Sequence, residues 1–415
     1  MLQLSDRDDA MLRGDFGDGV ARAMRIVART AQVMAAPHLI DITSAHIDGC
    51  LYHGQTSLDF VDYFVDTGAK VAVPTTLNVG SLDLIHPELY HGDRTIQRDA
   101  QRLMDAHLRL GCESSFTCAP YQLKHRPALG EQIAWAESNA IVFANSVLGA
   151  RTSRYGDFLD LAAAITGRAP YAGLHVDANR AARIVFNAPD FSGLPSRDIY
   201  FAALGLAVGK IAGAVVPAIV GLPADTTEDE LKALGAAAAS SGAVALFHAV
   251  GVTPEAPTLD AALHGHAAQR TVDITMADLD EIRRTLNHAA AGDALVAVAL
   301  GTPHLSLAEF RTLDTLLDAF DGKPACDFYV NTSRFILWEL EEAGLAEKFA
   351  ARGIQIVVDT CTYITPVMKQ LSGLVMTNSG KWASYAPANI GVTVAYGSMR
   401  ECVRSAYEGK VRFDD

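Results

Sequence analysis

The chain has 415 residues, of which 50% are hydrophobic and 20% charged. That length allows two or three domains and a large buried core. Its formal net charge of −14 argues against a nucleic-acid partner, because such proteins draw their affinity from lysines and arginines on phosphates. Six cysteines without regular spacing make no disulfide framework at this length; they fit a reducing, cytoplasmic setting where thiols stay free for metals.

Residues 1–9 are acidic and contain no apolar signal core. Residues 5–36 read as one or two helices broken at Gly14 and at Gly17-Asp18-Gly19. A strand at 38–42 leads into a polar loop, 43–50, that carries His46, Asp48, Gly49 and Cys50; its glycine suits the close approach of a ligand. Residues 57–67 are predicted helical, 70–74 a strand, and 75–80 a loop with Thr76 and Asn78. A long amphipathic helix follows from about 93 to 110, then a strand running to Cys118, then a largely buried helix over 131–148. Strand–loop–helix units repeated in this way predict a mostly parallel sheet with its active loops along one edge.

The middle of the chain changes character. From about 195 to 252 alanine and glycine dominate and charges are few, as in a tightly packed α/β unit. Residues 199–222 hold a single charge, Lys210, and are long enough to span a bilayer. A lysine in mid-span costs about 2.5–3.5 kcal/mol, and the pattern breaks at Gly213, so a buried helix followed by a strand is expected and no membrane partner. Residues 253–270, with Pro254, Pro257 and Gly265, read as a surface excursion or domain junction. The pair His264 and His266 lies there without a nearby Cys and is expected in a solvated loop. Strands are predicted again near 294–300, 327–331, 354–359, 374–377 and 392–396, alternating with helices. The expected units are thus 1–194 with the Cys118 loop, 195–270, and 271–415 with the Cys361 and Lys381 loops.

Cys361 is the most informative residue. It ends the run Val357-Val358-Asp359-Thr360-Cys361, in which a buried parallel strand delivers a thiol to the carboxyl edge of a sheet, where α/β proteins place their chemistry. Cys118 and Lys381 stand in similar transitions. Two loop thiols and a loop lysine suggest a metal or iron–sulfur site acting on an anionic substrate, with three protein ligands leaving one iron open as a Lewis acid. Cys118 and Cys361 are the expected ligands, and Cys326 is placed ahead of Cys50 as the third. Cys112 is expected to be peripheral and Cys402 a core residue. The loop Gly301-Thr302-Pro303-His304 ends a strand and is a site loop. Ser379, Gly380 and Lys381 are expected beside the substrate, with the lysine against its carboxylate.

Several segments together resemble the large, catalytic subunit of the aconitase X family: AHIDGCLYHG (45–54), VAVPTTLNVG (71–80), TCAPYQ (117–122), IAWAESNAIVFANSVLGARTSRYGDF (133–158), GTPH (301–304), DTC (359–361) and TNSGKWASYAP (377–387). The resemblance implies an α/β fold of several intertwined aconitase-like subdomains around a central site. It implies a hydro-lyase with an iron or iron–sulfur cofactor, closest to the bacterial branch that dehydrates cis-3-hydroxy-L-proline to Δ1-pyrroline-2-carboxylate. Phosphomevalonate or another small hydroxy acid is the alternative substrate, and a non-catalytic, regulatory relative of aconitase the alternative class. The archaeal branch often has Gly-Cys-Pro-His where this chain has Gly301-Thr302-Pro303-His304. The resemblance further implies that a small swivelling domain, expected on a partner subunit, supplies a serine general base, so no base is assigned to this chain. His46, Asp48, Gly49, Cys50, Thr76, Asn78, Ser379, Gly380 and Lys381 are the expected substrate pocket.

Overall fold

The computed structural model of the protein describes residues 2–194 and 196–414. Pro195, where the second unit was expected to begin, lies outside the described residues. Among the described residues, fourteen strands form four sheets. The first region holds β1 (Leu39–Asp41), β2 (Ala45–Ile47), β3 (Thr75–Leu77), β4 (Ala134–Trp135) and β5 (Arg168–Pro170). Of these, β3-β2-β4 form a parallel sheet, while β1 and β5 pair antiparallel. The second region is the parallel sheet β8-β7-β6-β9, made of β6 (Ile184–Asn187), β7 (Pro217–Val220), β8 (His248–Ala249) and β9 (Arg270–Asp273). It draws strands from both sides of the expected borders at 195 and 271. The third region contains β10 (Ala297–Leu300), β11 (Asp327–Asn331), β12 (Ile354–Val357), β13 (Leu374–Thr377) and β14 (Thr393–Tyr396), all parallel in the order β12-β11-β10-β13-β14.

The fold is the predicted mixed α/β one, and all five C-terminal strands fall where their apolar runs placed them. The first sheet is offset from expectation. The strand predicted at 70–74 lies instead at β3, part of the loop predicted at 43–50 is β2, and the helix predicted from 131 begins at Ser138, after β4. No strand runs to Cys118; residues 113–119 are irregular, held by Thr117 N–H donating to the Leu77 carbonyl at 2.9 Å. The strand predicted after Gly213 is β7, preceded by the buried helix Asp198–Ala212. Among the described residues, no helix is long and apolar enough to cross a membrane. His264 and His266 are exposed, as expected.

Parallel sheets put the ends of their strands on one edge, and this arrangement builds the site. Asp48 follows β2, Asn78 follows β3, and Glu137 follows β4. His304 follows β10, Cys361 follows β12, and Lys381 follows β13. The carboxyl edges of the first and third sheets therefore face each other across one cleft. The second region packs alongside through the helix pair Asp198–Ala212 and Glu228–Ser241. Glycines let those helices touch: a Cβ on Gly205 would lie 2.2 Å from the Leu234 carbonyl oxygen.

Candidate metal centre and substrate cleft

Two thiols and an imidazole converge where the loops meet. The ligand atoms of Cys118, His304 and Cys361 all lie within 4.8 Å of one another, and all three residues are buried. Each loop is fixed by its own contacts. Asn139, in the helix Ser138–Phe143, donates from Nδ2 to the Cys118 carbonyl at 2.8 Å and to the Tyr121 hydroxyl at 2.9 Å. The loop bearing Cys361 is held through Asp359, whose carboxylate accepts both arms of the Arg334 guanidinium at 2.5 and 2.7 Å. Gly301 opens the third loop at φ 87°, and a Cβ there would lie 2.1 Å from the Asn331 carbonyl oxygen, so only glycine fits the turn. The same loop is tied down at the His304 carbonyl, which accepts from Gln122 Nε2 at 3.2 Å and from Lys232 Nζ at 3.3 Å. Lys232 is itself buried and paired with Asp229 and Glu309.

The electrostatics suit a soft metal. Burial pushes the His304 imidazole down to about 4, leaving it neutral and able to ligate. Its Nδ1 lies 2.9 Å from Thr117 Oγ1, and its Nε2 lies 3.7 Å from Cys361 Sγ. The His304 backbone N–H donates to Cys118 Sγ at 3.3 Å. Burial opposes ionisation of Cys118, but the bond from Cys361 holds it below the ordinary thiol range; Cys361 is pushed well up by the same bond and by burial. Of the two thiols, Cys118 is therefore the one that ionises more readily. Val79, Tyr363 and Ile364 form an apolar shell around the two sulfurs. Two sulfurs and one nitrogen in such a shell fit iron, alone or in a small sulfide cluster, with ligand positions to spare.

Cys326 is not part of this group. It precedes β11 at the opposite end of the third sheet, with its Sγ 3.9 Å from the Ala406 carbonyl. The third side chain that could donate to a metal beside Cys118 and Cys361 is His304. Cys50 turns its thiol to the Asn78 carbonyl at 2.8 Å, and Cys402 is core, as expected.

Beside the sulfurs lies a cleft of about 430 Å³. Of the expected pocket residues, Asp48, Asn78 and Lys381 line it. Lys381 sits in the first turn of the helix Gly380–Ile390, and its Nζ meets Glu137 Oε1 at 2.5 Å. Glu137 also caps the helix Ser138–Phe143, accepting from Ala140 N–H at 2.7 Å. Burial opposes both charges. Lys381 nevertheless holds the Glu137 carboxyl below its ordinary value, and Glu137 holds the ammonium well above its own. Asn78 donates from Nδ2 to Asp48, and its Oδ1 is buried without a protein partner. Asp48 is raised to about 7 by burial and by the nearby Glu137 and Asp157 charges.

The other expected pocket residues lie behind the cleft wall. His46 Nδ1 bonds Thr76 Oγ1 at 2.8 Å, and Thr76 lines a separate cavity with Ser44 and Trp135. The Gly49 and Asp48 N–H groups face the Asp160 carboxylate. Ser379 caps its helix through Trp382 N–H at 3.0 Å and donates to the Thr302 carbonyl. Gly380 packs against Ala202 and Leu206.

Sequence reading gave no individual role to four residues. His304 was visible as the end of a strand-terminating loop, and Lys232 as a lysine between the acidic run Glu228-Asp229-Glu230 and an alanine-rich stretch. Glu137 and Arg154, which also line the cleft, stood inside a matched segment without an assigned role.

Comparison with known proteins agrees with this geometry. Family models described as the first, second and third domains of aconitase X match residues 1–178, 182–284 and 295–408. A cis-3-hydroxy-L-proline dehydratase of Hypocrea jecorina is 40% identical over 98% of this chain and 69% of that protein. One of Pseudomonas aeruginosa is 41% identical over 97% of this chain and 70% of that protein. Archaeal proteins named phosphomevalonate dehydratase large subunit are less similar: that of Methanothermobacter thermautotrophicus is 35% identical over 97% of this chain and 98% of its own length. The crystal structure of Thermococcus kodakaraensis aconitase X, holo-form, superposes with a TM-score of 0.87 at 31% identity, covering 97% of this chain and 100% of that one. The chain belongs to the aconitase X family.

Proposed function

We propose that this chain is the large, catalytic part of a cis-3-hydroxy-L-proline dehydratase. The observation that carries the reading is its similarity along nearly its whole length to two dehydratases of that name, at 40% and 41% identity, against 28–35% for the phosphomevalonate dehydratase large subunits. Overall the reaction removes the Cα proton and the neighbouring hydroxyl as water, and the enamine tautomerises to Δ1-pyrroline-2-carboxylate.

Cys118, Cys361 and His304 would hold an iron or iron–sulfur centre. When bound, it supplies a Lewis acid that makes the hydroxyl a better leaving group. This chain's own groups bind and orient the ring. Asn78 Oδ1, buried in the cleft wall without a partner, accepts a hydrogen bond from a substrate donor, and Asp48 fixes its amide from the other side. The Glu137–Lys381 pair sets a rigid, nearly neutral floor between the two sheets. The α-proton acceptor is a serine of a small swivelling domain on a partner subunit. The archaeal relatives' description as large subunits supports that division.

The test is anaerobic turnover by the iron-loaded chain, with and without a small-domain partner, on cis-3-hydroxy-L-proline and on phosphomevalonate. Preference for the hydroxyproline supports the proposal. Preference for phosphomevalonate, or no turnover of either by the loaded complex, overturns it.

A further inference from the structure

The Lys381 ammonium was the expected partner of the substrate carboxylate, yet Glu137 already neutralises it at 2.5 Å within the buried floor of the cleft. The cleft contains another cation that could meet the carboxylate. Arg154, which is exposed, lines it, and its guanidinium forms no ion pair among the described residues. Its neighbours in sequence behave differently: Arg151 pairs with Asp177, Arg168 with Asp8 and Asp41, and Arg180 with Glu255.

The backbone that presents Arg154 is fixed at each adjacent residue. Thr152 Oγ1 donates to the Trp135 carbonyl at 3.1 Å, and Ser153 Oγ donates to the Ala172 carbonyl at 3.2 Å. Tyr155 is buried with its hydroxyl on His175 Nε2. Gln132 Oε1 accepts from His175 Nδ1 at 2.6 Å, while Gln132 Nε2 donates to the His175 carbonyl at 3.5 Å. That amide orientation puts the imidazole proton on Nδ1, so Tyr155 donates to Nε2 and the segment is locked. The carboxylates around the cleft, Asp48, Asp157 and the paired Glu137, complete a two-signed lining that matches a zwitterion: an anionic side for the ring ammonium and one free guanidinium for the carboxylate.

We infer that Arg154 is the carboxylate-binding residue of the substrate cleft, an inference that rests on the amino-acid-like substrate proposed above. A guanidinium matches a carboxylate with two parallel N–H···O bonds. Because negative charge spreads into the carboxylate as the α-proton leaves, the contact strengthens toward the transition state, and its loss lowers kcat as well as raising KM.

The experiment pairs calorimetry with kinetics on the iron-loaded chain and its small-domain partner. Pyrrole-2-carboxylate, a planar ring that cannot be dehydrated, is the binding probe, and its carboxamide is the control. Arg154→Met should weaken pyrrole-2-carboxylate at least tenfold, leave the carboxamide unchanged, keep the iron content, and lower kcat/KM about 100-fold. Arg154→Lys should fall between. Equal affinity for the carboxylate in Arg154→Met and the unaltered protein, with the latter active on cis-3-hydroxy-L-proline, overturns the Arg154 assignment alone. An unaltered protein that neither binds the probe nor dehydrates the hydroxyproline overturns the substrate reading, and this inference with it.

Discussion

The Glu137–Lys381 pair makes a sharp energetic statement. Both side chains are 6% exposed, and their atoms meet at 2.5 Å across the boundary between the first and third regions. Replacing lysine by methionine keeps the volume but strands a buried carboxylate. Breaking a buried pair from one side costs about 3–5 kcal/mol. At roughly 2.1 cal/mol/K of unfolding entropy per residue, a chain of this length melting as one unit gains about 0.9 kcal/mol/K. Lys381→Met should therefore lower Tm by about 3–6 °C at pH 7.5, measured by calorimetry on iron-free protein so that metal loss does not contribute. The double variant Glu137→Gln with Lys381→Met should recover most of that loss, since no charge is then left buried. The pH dependence has a definite sign. In the unaltered protein Glu137 is held below its ordinary value, so its contribution is present above about pH 4.5 and fades as pH falls through the lowered value. In Lys381→Met the lone buried carboxyl titrates higher than in the unfolded chain, so the deficit should shrink as pH drops toward 4. A variant with the same Tm as the unaltered protein, or a deficit that grows in acid, would refute the reasoning.

Two further predictions concern the same cleft. Cys118→Ala, Cys361→Ala and His304→Ala should each lose iron while staying folded, whereas Cys326→Ala and Cys402→Ala keep it; iron and sulfide counts on anaerobically purified protein decide, and full iron in any of the first three removes that residue from the ligand set. Asp48, raised to about 7, favours the folded state below its unfolded value of about 3.9 and loses that contribution as pH rises through 7. The Tm of Asp48→Asn, relative to the unaltered protein, should therefore rise between pH 4 and 7; parallel melting curves across that window would contradict it.

How far the sequence could be read depends on how each element is built. The third sheet was legible because its strands are continuous apolar runs buried on both faces, such as Ala297–Leu300, and each ends in a polar loop. That pattern identified Cys361 and the loop of His304. The first sheet was misplaced because β2, β3 and β4 have only two or three residues each and bury His46 and Thr75, which no hydrophobic run marks. Of the three donor side chains that meet, the two cysteines were legible. Cysteine chemistry drew attention to Cys326, although its place before a strand rather than after one puts it at the wrong edge. Pairings were not legible at all: Glu137 and Lys381 are 244 positions apart, and only the facing of two sheet edges shows that the lysine is already neutralised.

The most direct test of the central claim is product formation by the iron-loaded chain with a small-domain partner, supplied with cis-3-hydroxy-L-proline without oxygen and followed by chromatography of Δ1-pyrroline-2-carboxylate. The expected result is stoichiometric conversion that requires iron and stops in Cys118→Ala. Conversion that persists without iron, or its absence in a fully loaded complex that dehydrates another hydroxy acid, would contradict the account.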